Sequence, residues 1–216
     1  MPLSLRKDFV GPETPVRDAL DFMEDRGIYA VPVVDKGRVL GVISYEGVLK
    51  GFLSQKGKAA DYLQKAKALL YTPSLNSAVA HFALSRSRAI VVRDIYGKFR
   101  GFVTREDVVR ELKVEVPIHS LIESKFVTIE SRDTVIKART EMIEKKRTEL
   151  PVVNSGEFEG LITAKSIVEK LVSNCESYEK LLRINYIQVR DLDLKDFHLN
   201  FESSLSDVVN LFASGL

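Results

Sequence analysis

Apolar residues along the 216-residue chain switch between helical spacing and short continuous runs bounded by turn residues, and the switching recurs. Gly11-Pro12-Glu13-Thr14-Pro15 turns the chain and starts a helix, since proline suits the first helical turn. Val16, Ala19, Leu20 and Met23 are that helix's buried face, and Gly27 ends it. Tyr29 to Val34 reads as a strand, Asp35-Lys36-Gly37 as a turn, and Val39 to Ile43 as the returning strand. Ser44 caps a second helix through Val48, Leu49 and Phe52. With a short strand at Phe9-Val10, the unit reads strand, helix, strand, turn, strand, helix.

The unit repeats. Gly41-Val42-Ile43-Ser44, Gly101-Phe102-Val103-Thr104 and Gly160-Leu161-Ile162-Thr163 share one pattern at a spacing of about 60 residues. In the second copy a linking helix, 59–67, leads to a strand at 68–70. Leu75, Ala78, Val79 and Phe82 face inward, and strands at 89–92 and 99–103 flank a turn longer than the first copy's. In the third, a strand at 126–129 precedes a helix start at Ser131-Arg132-Asp133-Thr134. Val135, Ala138 and Met142 form one buried face, and Ile167, Val168, Leu171 and Val172 form another. A fourth copy begins with a linking helix at 178–189, a strand at 197–201 and the apolar stripe Leu205, Val208, Val209 and Phe212. The given sequence stops where its hairpin would follow, so the expected cover for that stripe is more chain or another subunit. The expected organisation is a complete pair over residues 1–113 (repeats about 1–53 and 59–113). Residues 114–216 then hold a third repeat (about 114–174), a linking helix and half of a fourth (about 178–216).

Composition changes this picture little. The chain is 45% hydrophobic and 29% charged with a net charge of +2, which suits a globular protein and gives no general attraction to nucleic acid or anionic lipid. No apolar run reaches the length of a membrane span, and residues 1–9 lack the apolar core of a signal peptide. The single Cys175 excludes an internal disulfide and fits a reducing, cytoplasmic compartment. His81, His119 and His198 lie in different repeats without metal-ligand spacing. No phosphate loop, nucleophile elbow or HExxH is present, so no enzyme signature competes and no metal or cofactor is expected.

Pro-Val-Val at a strand end, a glycine-containing turn, then Gly-aliphatic-aliphatic-[Ser/Thr]-x-x-[Asp] resembles the CBS domain family. The matching stretches are Val31 to Ser44, Ile90 to Asp107 and Leu150 to Thr163. The resemblance implies an α/β (α+β) fold of tandem repeats paired into Bateman modules. It also implies a cleft that binds an adenosine nucleotide of the AMP, ADP or ATP type, in a non-catalytic, energy-sensing regulatory module. The expected partners are that nucleotide and either a second copy of the chain, as a homo-dimer, or another protein. A ligand-free assembly module is the alternative. Nucleic-acid binding through Lys56, Lys58, Lys65 and Lys67 is a weaker one.

The candidate chemistry centres on Thr104-Arg105-Glu106-Asp107. A carboxylate has two acceptor oxygens for the two adjacent hydroxyls of a ribose, and a helix start offers unpaired amides to a phosphate. By resemblance, Asp107 takes the ribose, Thr104 lies near ribose or phosphate, and Arg88 reaches phosphate. Arg105 and Lys67 are further basic candidates. The same four residues also have the spacing of a helix capping box, and both uses stay open at this point. The third copy has Ser166 three residues after Thr163, the candidates for a second site. The first copy has Gly47, which cannot hold a ribose.

Overall fold

The computed structural model describes residues 2–51, 57–85, 87–112, 116–122, 126–174, 184–196, 199 and 202–213. Each complete repeat is a hairpin between two helices. In the first, α1 (Val16–Asp25) is followed by β1 (Ala30–Asp35), β2 (Arg38–Ser44) and α2 (Tyr45–Lys50). In the second, β3 (Lys67–Leu69) and α3 (Leu75–Leu84) precede β4 (Ala89–Arg93), β5 (Phe99–Thr104) and α4 (Arg105–Glu111). In the third, β6 (Ile129–Glu130) and α5 (Val135–Lys145) precede β7 (Glu149–Asn154), β8 (Glu157–Thr163) and α6 (Ala164–Asn174). The last helix, α7, is Leu205–Ala213.

The hairpin strands form where expected. The hairpin strands pair antiparallel, and the opening strand pairs parallel to the middle one in the orders β3-β4-β5 and β6-β7-β8. In the first repeat the opening strand is a single parallel bridge, Val10 to Val33. The predicted helix faces form the cores. Val16, Ala19, Leu20 and Met23 are buried, as are Val135, Ala138 and Met142, and Ile167, Val168, Leu171 and Val172. Each buried Val, Leu, Ile or Met among them contributes about 1.5–3 kcal/mol by leaving water.

The chain divides into two compact units. One comprises Met1–Gly47, Lys56–Val114 and Val209–Gly215. The other comprises Val48–Gln55, Glu115–Val208 and Leu216. Within the first, the two hairpins meet: Phe99 N–H donates to Gly37 carbonyl (2.8 Å), and the Phe9 and Phe99 rings stack edge to face at 5.7 Å.

Three expectations change. The predicted linking helix at 59–67 is one 3-10 turn, Ala59–Tyr62, followed by extended chain. Gln64 is drawn out because its N–H and carbonyl pair with Val42 (2.8 and 3.0 Å), so long-range pairing overrides local helix preference. The predicted linking helix at 178–189 is described only from residue 184, where short 3-10 turns occupy Ile184–Tyr186 and Val189–Asp191. Its earlier part lies outside the described residues, as do all but Leu199 of the predicted strand at 197–201. The third repeat's opening strand shortens to β6, leaving Phe126 exposed. Leu205, Val208 and Val209 of α7 are half-buried, and the Phe212 side chain lies outside the described residues. No helix among the described residues is long and apolar enough to cross a membrane.

Candidate functional site

A short extended segment lies across the end of each hairpin and shapes the site there. Arg6 exchanges two backbone hydrogen bonds with Phe102, both 3.0 Å. Gln64 does the same with Val42, and Lys195 with Leu161 (2.8 and 3.0 Å). Phe102, Val42 and Leu161 are equivalent residues, so Arg6, Gln64 and Lys195 are equivalent too. The preceding glycine is required by this approach. A Cβ on Gly101 would lie 2.6 Å from the Arg6 carbonyl oxygen, one on Gly41 2.7 Å from that of Gln64, and one on Gly160 3.0 Å from that of Lys195. Gly101 also sits at φ +147°, which disfavours a side chain in its own right.

The residue three beyond each helix opener differs, and the crossing segment differs with it. Gln64 fills the first repeat's site: its Oε1 accepts from the Ser44 hydroxyl (2.5 Å), and a Cβ on Gly47 would lie 2.9 Å from its side-chain carbon. In the third repeat Ser166 closes locally. Its Oγ accepts from Thr163 N–H (3.1 Å) and donates to Thr163 carbonyl (3.0 Å).

In the second repeat, buried Thr104 caps α4, accepting from Asp107 N–H at 3.2 Å. Asp107 Oδ2 accepts from the Thr104 N–H and hydroxyl, each at 3.0 Å, completing the capping box. The same carboxylate holds Arg6: Nε donates to both oxygens at 3.0 Å and Nη2 donates to Oδ1 at 2.8 Å. This side-chain bonding raises the guanidinium's already high pKa. An open pocket of about 190 Å³ adjoins the pair, lined by Leu3, Leu5, Arg6, Asp107 and Arg110 among others.

The other candidates lie elsewhere around α4. Arg105 donates to the carbonyls of Ser85 (2.9 Å) and Ser87 (3.0 Å), tying down the loop between α3 and β4. Arg88 faces Glu46, with Nε 3.9 Å from Oε2, and its charge also acts on Glu106. Lys67 is exposed at the start of β3, where with burial and Arg105 it lowers the His81 pKa. Glu106 is a functional candidate that the sequence did not single out. Its Oε2 is buried without a hydrogen-bond partner, and burial pushes the carboxyl above the usual carboxylate range. Arg6 was also missed. Its signal was the alternation Leu3-Ser4-Leu5-Arg6, which marks a strand with Leu3 and Leu5 packed on the second repeat's core. Among the described residues no cluster of three His, Cys, Asp or Glu side chains could hold a metal ion.

Comparison with known proteins agrees with this architecture. The sequence model of the CBS domain matches residues 7–54 and 118–173. A crystal structure from Methanocaldococcus jannaschii, described as a candidate archaeal homolog of g-AMPK, superposes with a TM-score of 0.79 at 14% identity. The superposition covers 99% of this chain and 87% of that one. An uncharacterized protein of the same organism is 26% identical over 171 residues, 75% of this chain and 40% of its own length. A zinc metalloprotease of that organism is 24% identical over 106 residues, 49% of this chain and 29% of its own length. The chain thus spans well under half of either curated relative. The second repeat, outside both matched stretches, has the same strand and helix order and the same crossing segment as the other two. Residues 7–54 and 118–173 are thus CBS domains, and the chain as a whole is built of tandem repeats of that fold.

Proposed function

We propose that the chain is a non-catalytic regulatory module. Its second repeat takes an adenosine nucleotide at Asp107, and occupancy is passed to a partner, either a second copy or another protein. The observation that carries this reading is the Asp107 carboxylate itself. It is the acid among three equivalent positions, held in one orientation by Thr104, and it borders an open pocket beside a second cation, Arg110. A ribose offers two hydroxyl donors that match its two oxygens, and bonds to a charged acceptor are the stronger kind. Thr104 orients the acid rather than binding ligand, since its hydroxyl is already engaged. Arg88 would serve a phosphate only by turning from Glu46, and Arg105 only by leaving the Ser85 and Ser87 carbonyls. Lys67 is the more exposed basic residue. A second site at Thr163 and Ser166 is weaker, because the Ser166 hydroxyl is satisfied within its own helix turn. Ligand binding shifts the balance between arrangements of the paired repeats only as far as it favours one of them, and that difference is what a partner would sense.

The ligand-free assembly reading has one observation in its favour: Arg6 and Thr104 already satisfy both oxygens of Asp107. A thermal-shift panel of adenosine, AMP, ADP and ATP separates the two readings. Sensing requires stabilisation by at least one of them, about 2.7 kcal/mol at a hundredfold excess over Kd. An unchanged melting temperature throughout supports assembly instead.

A further inference from the structure

We propose that Arg6 is the residue by which the second-repeat site selects a phosphorylated ligand, by exchanging Asp107 for the ligand's phosphate. The proposal rests on the nucleotide reading above and adds to it a residue that neither the repeat pattern nor the family resemblance supplies.

Three observations carry it. First, the position is already occupied. Arg6 makes three contacts of 2.8–3.0 Å to the two Asp107 oxygens, the atoms a ribose would need. Second, the pocket beside the pair holds about 190 Å³, below the roughly 300–1,000 Å³ of ordinary ligand clefts. The pocket is open, so a nucleotide extends beyond it, and its ribose reaches the carboxylate oxygens only if Arg6, the lining side chain bonded to them, moves. Third, the Arg6 side chain is only 22% exposed. Its backbone is fixed by the paired bonds to Phe102, and Leu3 and Leu5 anchor the segment in the core, so the guanidinium swings without the segment leaving.

The consequence is a preference among ligands. A nucleoside that takes Asp107 leaves a half-buried guanidinium without its bonded anion, with only the non-bonded charges of Asp8 and Glu106 acting on it, which is costly. A nucleotide takes Asp107 with its ribose and returns an anion to Arg6, and the guanidinium fork matches phosphate oxygens bidentately. The internal comparison agrees. Only the repeat that keeps the acid has an arginine in its crossing segment; the repeat with Gly47 has Gln64, and that with Ser166 has Lys195.

The test is calorimetric titration of the full chain and of Arg6→Ala with adenosine and with AMP. The intact chain should bind AMP about 10- to 100-fold more tightly than adenosine, the worth of one hydrogen bond to a charged group. Arg6→Ala should bind adenosine more tightly than the intact chain does, because the competitor is gone, and the ratio should fall to within about threefold. Should Arg6→Ala not fold, Arg6→Lys keeps the charge without the fork and should show an intermediate ratio. The Arg6 Nε–H resonance, followed in the intact chain by nitrogen-15 NMR, should shift with AMP. An unchanged ratio in either variant, with binding intact, overturns the Arg6 proposal and leaves the nucleotide reading standing. Failure of both ligands to bind any form overturns both.

Discussion

Replacing Asp107 by alanine removes two interactions at once, and the structure shows how to separate them. One is the cap on α4, whose loss costs about 0.5–2 kcal/mol. The other is the pair with Arg6. Fully exposed pairs couple by about 0.2–1 kcal/mol, and breaking a fully buried one costs about 3–5 kcal/mol. Here the two side chains are 22% and 18% exposed and the contact is bidentate, so a coupling of about 1–2 kcal/mol is expected. Asp107→Ala should therefore lose about 1.5–4 kcal/mol in total. Asp107→Asn keeps an acceptor for Thr104 and should lose mainly the pair. The assay is urea unfolding of the intact chain, Arg6→Ala, Asp107→Ala and the double variant, at low and high salt without nucleotide. The coupling should shrink only partly in salt, since the pair is sheltered from counterions. A coupling below about 0.3 kcal/mol would show that the observed contact has no energetic content, and would remove the ground for Arg6 as a competitor.

Two further outcomes follow from neighbouring residues. Glu106 has a folded-state pKa raised above its ordinary value of 4.5, so its neutral form favours folding at low pH and that contribution is lost as pH rises through the raised value. Glu106→Gln should therefore raise the melting temperature at pH 8 and leave it nearly unchanged at pH 4; equal effects at both would exclude burial of the charge as the cause. Gly101→Ala places a Cβ 2.6 Å from the Arg6 carbonyl and should cost more than about 3 kcal/mol, read by chemical denaturation. Gly97→Ala, where a Cβ meets nothing within 4 Å, should cost only the strain of its positive φ, about 1–2 kcal/mol.

The helices and hairpins were legible because each has a local signature. Val16, Ala19, Leu20 and Met23 bury one helical face, and the apolar run from Ala30 to Val34 is buried throughout as one strand of a hairpin; both patterns are readable from neighbouring residues alone. The spacing of Gly41, Gly101 and Gly160 revealed the repeat, but not why glycine stands there. The cause is a carbonyl from a segment distant in sequence, which no local pattern encodes. The same limit hid Arg6, 101 residues from Asp107, and it misread residues 63–67 as helix although Gln64 pairs with a strand. The capping and ribose uses of Asp107 could not be separated in the sequence because both need the same acid at the same spacing. The structure shows that the cap is made, and that Arg6 pairs with both carboxylate oxygens.

The most direct measurement is a titration of the intact chain and Asp107→Ala with AMP, ADP and ATP and with their 2′-deoxy counterparts. The account predicts that at least one ribonucleotide binds the intact chain. It further predicts that either deleting the carboxylate or removing the 2′-hydroxyl weakens that ligand about 10- to 150-fold, the worth of hydrogen bonds to a charged group. Binding that is indifferent to both changes, or no binding of any ribonucleotide, would contradict it.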